Sequence, residues 1–222
     1  MVAEVRLPDV RFAIESADVV QYAATPTLAF KVRITNAPSE ELIHTMALRA
    51  QIQIEATRRK YNQDEQARLR DLFGEPDRWG QTLLSMLWTH AGFMVPRFTG
   101  GTVSEISVPC TFDFNVGATK YFHGLASGEL PLCFQFSGTV FYQDHNKLLQ
   151  VAPISWDKEA RYRLPVSVWK DLMAIYYPGN AWLALRKDTF ERLYRYKVSE
   201  GIPTWEEALE RALDALPETV KS

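Results

Sequence analysis

At 222 residues, with a formal charge of −2 and a pI near 6.1, the chain is long enough to bury its own core and has no global attraction for nucleic acid or an anionic membrane. Two cysteines point to a reducing compartment rather than a disulfide-built domain. "MVAEVRLPDVRFAIES" sets Glu4 and Asp9 where a secretion signal needs an apolar run, and no apolar stretch elsewhere approaches a membrane span, so a soluble, cytoplasmic protein is expected.

Along the chain, five segments alternate in the manner of half-buried strands. "TLAFKVRIT" puts Leu28, Phe30, Val32 and Ile34 on one face and Lys31 and Arg33 on the other. "TMALRAQIQIEAT" groups Met46, Leu48, Ala50, Ile52 and Ile54 against Arg49, Gln51, Gln53 and Glu55. The third starts at Ile106 and carries Val108, Cys110, Phe112 and Phe114 on its apolar face. The fourth is "LPLCFQFSGTVFY". In the fifth, "WDKEARYRL", Trp156, Ala160, Tyr162 and Leu164 oppose Asp157, Glu159, Arg161 and Arg163. Shorter candidates lie at 11–15, 85–95 and 147–154. One wet and one dry face per strand predicts an antiparallel two-layer β-sandwich, making the chain α+β and mainly β.

Helical insertions are expected at two places. "YNQDEQARLRDLFG" has capping-box spacing at Asn62 and Glu65 and stops at Gly74, predicting a helix over about 62–74. After Asn115 the period changes to a helical one through Ala118, Tyr121, Phe122 and Leu125, predicting a second over about 115–127. "FTGGT" between them reads as a hairpin turn. From Pro165 the sequence is helical: Ser167 is placed to cap "VWKDLMAIYY", Asp188 with Glu191 precedes "FERLYRYKV", and Thr204 with Glu207 opens a helix whose stripe is Trp205, Ala208, Leu209, Ala212, Leu213 and Leu216. The expected organisation is a sandwich over 1–164 and a C-terminal helical segment over 165–222 packed on it.

Residue chemistry offers little to a catalytic reading. Cys110, His123 and Cys133 are the nearest approach to a metal set, yet their spacing matches no zinc pattern and the alternation turns the two thiols to opposite faces. A G-x-S-x-G elbow and phosphate loops are absent, and the carboxylates Asp113, Glu129, Asp144, Asp157 and Glu159 read as a solvated face. No cofactor, metal or catalytic residue is expected. Aromatic residues outside the strands, among them Trp79, Trp182, Tyr176 and Tyr177, are candidates for exposure and would suit a carbohydrate or peptide groove.

Charge is more informative in its pattern. Residues 186–197 hold five basic side chains against two acids, net +3, and residues 198–218 hold six acids against Arg211, net −5. Neighbouring helices of opposite charge commonly pair with each other. Where they do not, Arg and Tyr are favoured interface anchors, and Tyr176, Tyr177, Arg186, Arg192, Tyr194, Arg195 and Tyr196 are the candidate partner-binding residues.

Long stretches, "FKVRITN", "IHTMALRAQIQIEATRRKY", "SVPCTFDFNVGATKYFHGL", "LPLCFQFSGTVFY", "LPVSVWKDLMAIYYPGNAWLALRKDTFERLYRYK" and "GIPTWEEAL", together resemble a bacterial family whose members share a domain of unknown function. The resemblance implies gene company with uptake NiFe-hydrogenases and their maturation proteins, and hence a non-catalytic accessory or scaffold that binds a hydrogenase subunit or maturation factor. It transfers no catalytic residue. Nucleic acid and membrane insertion are not expected. The alternatives are a small-ligand or carbohydrate-binding module, or a metal carrier using Cys110, His123 and Cys133 with another histidine.

Overall fold

A computed structural model describes residues 8–144 and 146–215, and period-two burial organises it from the first strands onward. β1 (Asp9–Val19) pairs antiparallel with β2 (Thr27–Ala37), where Leu28, Phe30, Val32 and Ile34 are fully buried and Lys31 and Arg33 are not. β3 (Leu42–Ile54), β4 (Met86–Val95) and the two-residue β5 (Phe98–Thr99) enter a second sheet, after which β6 (Gly101–Pro109) returns to pair with β2. β7 (Glu129–Gln143) runs antiparallel to β3, and its other edge carries β8 (Leu149–Pro153) and β9 (Glu159–Pro165) end to end. The sheets are thus β1-β2-β6 and β4-β3-β7-β8, with β5 joined to β3 and β9 to β7. Their inner faces interlock: the Phe30 ring meets Trp88 at 6.1 Å and Phe134 at 5.1 Å, and Phe12 stacks on Phe136 at 4.1 Å. The expected α+β sandwich, mainly β, is what forms.

Where β7 passes from β9 to β8, Gly138 lies opposite Leu48 with φ of +140°. A Cβ there would stand 2.1 Å from the Ala47 carbonyl oxygen, so only glycine permits the strands to approach this closely.

Helices close one end of the sandwich. α1 (Gln63–Phe73) begins with the expected capping box, Asn62 accepting from the Glu65 amide and the Glu65 carboxylate accepting from the Asn62 amide. A short turn, α2 (Trp79–Thr82), follows, and α3 (Val116–Gly124) is capped by Asn115, which accepts from the Ala118 amide. α4 (Val166–Tyr176) packs on β1, β2 and β9 through Trp169 and Leu172. Between them lies a buried polar knot. Arg59 donates to Glu65 at 2.6 Å and to the carbonyls of Ser127 and Glu129, Glu65 also accepts from the Ala126 amide, and the Tyr61 and Tyr121 hydroxyls lie 2.6 Å apart. These bonds offset the cost of burying the ion pair, though the Arg59 Nε is buried without a hydrogen-bond partner among the described residues.

Several expectations are corrected. β6 ends at Pro109: the Cys110 amide still donates to the Pro26 carbonyl at 2.8 Å, but Pro26 has no N–H to return the bond, so the ladder stops and Phe112 and Phe114 lie in a turn, half-buried and exposed rather than on a strand face. "FTGGT" is no hairpin: Gly100 and Gly101 carry the chain from β5 in one sheet to β6 in the other. Trp156 precedes β9 and is 92% exposed, so its place in the alternation was coincidental, whereas Ala160 and Leu164 are buried as expected. Trp79 is buried, its indole nitrogen donating to the Gly74 carbonyl. α4 follows Pro165 without a side-chain cap from Ser167. The chain divides into compact units at 1–179 and 180–222, so α4 belongs with the sandwich rather than with the helices beyond it.

Candidate functional site in the 180–215 helical hairpin

Residues 180–215 fold as two helices, α5 (Lys187–Ser199) and α6 (Trp205–Asp214), joined by a turn the sequence specifies closely. Gly201 takes the left-handed conformation (φ +63°), and the Gly201 and Ile202 amides donate back to the Val198 and Lys197 carbonyls. Ile202 tucks in, Pro203 prevents continuation, and Thr204 caps α6 by accepting from the Glu207 amide at 3.1 Å. The expected cap at Asp188 is not made; α5 begins two residues earlier than that cap would place it, with Arg186 at the N-cap position, and Asp188 pairs with Arg186.

The hairpin leaves much of its apolar surface uncovered. α5 has no buried residue, and in α6 only Ala208 is buried. The predicted α6 stripe is therefore corrected: Trp205 is half-buried, Leu209, Ala212 and Leu213 are exposed, and Leu216 lies outside the described residues. Phe190 (46% exposed) and Tyr194 (52%) meet the Trp205 ring at 5.3 and 6.2 Å, and Lys197 places its ammonium 5.6 Å from that ring. Leu183, Leu185, Phe190, Leu193, Trp205 and Leu209 line a groove of about 480 Å³, with Lys187 as its charged member. Phe190 also lines a second depression, about 350 Å³, with Glu191, Tyr194 and Arg195.

The structure divides the seven residues singled out from sequence. Tyr176 and Tyr177 belong to the sandwich unit, where the Tyr176 hydroxyl serves the Val20 and Ala23 carbonyls at 3.0 Å and Tyr177 ends α4. Arg186, Arg192, Tyr194, Arg195 and Tyr196 lie in the hairpin. Of these, Tyr194 and Arg195 line a depression, Arg186 and Arg192 are exposed, and Tyr196 is half-buried. Sequence reasoning missed Leu183, Leu185, Phe190 and Leu193; the signal was present in Phe190, Tyr194 and Val198, spaced by four along α5.

Elsewhere, chemistry-bearing side chains are separated. Cys110 faces the interior and burial pushes its thiol up to about 12; Cys133 lies beside Glu159 on the outer face of β7, where burial and that acid raise it to about 11. His123 stands edge-on to Trp169, its pKa lowered by burial and by Lys170. Among the described residues, no three His, Cys, Asp or Glu side chains gather around one point. Glu159 pairs with Arg161 and Glu129 with Arg163, while Asp144 accepts the Asn146 and Leu148 amides. No helix among the described residues is long and apolar enough to cross a membrane.

A family model, "Family of unknown function (DUF6084)", matches residues 7–221, and the chain belongs to that family. No curated protein matches it significantly. Solved structures similar to parts of it include the CARDB domain of a Pyrococcus furiosus protein in complex with di-metal ions (11% identity, 71% of this chain and 92% of that one, TM-score 0.28). Others are a putative late embryogenesis abundant protein (13%, 72% and 72%, 0.32) and the putative ApaA protein of Bordetella pertussis (15%, 72% and 96%, 0.25).

Proposed function

We propose that the protein is a non-catalytic, cytoplasmic accessory or scaffold that works by binding another protein through its 180–215 hairpin. The observation that carries this reading is the uncovered Phe190–Tyr194–Trp205 surface with its flanking arginines, the residue types that anchor protein interfaces. Among the described residues, the scattered cysteines, histidines and carboxylates give a catalytic or metal-carrying role nothing comparable to build on. The resemblance to proteins encoded beside hydrogenase genes supports a NiFe-hydrogenase subunit or maturation factor as the partner.

The groove of about 480 Å³ is also large enough for a small ligand, the second reading, but Lys187 is the one charged group lining it among the described residues, and ligand sites generally converge several polar groups. Affinity isolation of the tagged protein from cells expressing the neighbouring hydrogenase genes, read by mass spectrometry, tests the first reading. Hydrogenase or maturation proteins are expected with the parent and are lost with Arg186→Glu/Arg192→Glu at unchanged circular dichroism. Their absence from the parent sample overturns the assignment.

A further inference from the structure

We draw no further inference here: the strongest candidate, the apolar groove of the C-terminal hairpin lined by Leu183, Leu185, Phe190 and Trp205, belongs to the site already described, and nothing in the structure shows what covers it.

Discussion

The rings of Phe122 and Trp169 stack at 5.1 Å with Tyr121 fully buried beside them, whereas those of Phe190, Tyr194 and Trp205 touch at 5.3 to 6.4 Å and remain open to solvent. Both clusters sit on short amphipathic helices and use the same residue types. They differ in what surrounds them. α3 lies against α1 and carries Phe122 onto both Trp88 of β4 and Trp169 of α4, so three directions are closed; over its described residues the hairpin supplies two helices. Aromatic content alone therefore does not distinguish a core from a docking face. The number of elements converging on it does.

The largest expected contrast comes from truncating one ring on each side. Phe122→Ala should cost about 3–5 kcal/mol in urea denaturation, the range for a buried aromatic, whereas Phe190→Ala should change sandwich unfolding by less than about 0.5 kcal/mol. Equal losses would erase the distinction. Breaking the buried knot by Glu65→Ala should be comparably severe, about 3–5 kcal/mol, because Arg59 would be left buried without its counter-charge. No ion pair of the hairpin should approach this, since Arg186–Asp188, Lys187–Glu191 and Arg211–Glu207 are solvent-exposed and such pairs contribute at most about 1 kcal/mol. Gly138→Ala should cost at least about 1–3 kcal/mol from its backbone conformation, with the clash at Ala47 in addition.

A further expected effect is confined to pH and to the sandwich. The Cys110 thiol keeps its proton in the fold up to about 12, against 9.0 for an ordinary thiol. Between these values the unfolded chain has released a proton that the folded chain retains, so the contribution to stability is complete below pH 9 and is lost as pH rises toward 12. The slope is about 1.4 kcal/mol per pH unit in that window. Parallel denaturation curves for the parent and Cys110→Ala between pH 8.5 and pH 10.5 would refute it. His123 works at the other end: its pKa is lowered in the fold, so its contribution is present above 6.5 and declines as pH falls through the depressed value.

The sequence revealed the sandwich wherever one period held across a whole strand, as in β2, β3 and β7, and revealed the caps at Asn62, Asn115 and Thr204 because their side chains act within three residues. It misled where a pattern ran past its element. Phe112 and Phe114 continue the alternation of β6 beyond Pro109, and Trp156 extends that of β9 backward into a loop. The candidate site was legible in charge and in Tyr194 and Arg195, but not in which apolar residues lie exposed. Leu209 and Leu213 have the spacing of a core stripe, and spacing records a face without recording whether anything covers it.

Amide hydrogen exchange tests most directly the claim that the sandwich closes its core while the hairpin leaves its aromatic surface open. Protection of 27–54 and 130–142 should be high, and that of 187–214 low. Hairpin amides as protected as those of β2 and β3 would contradict the account.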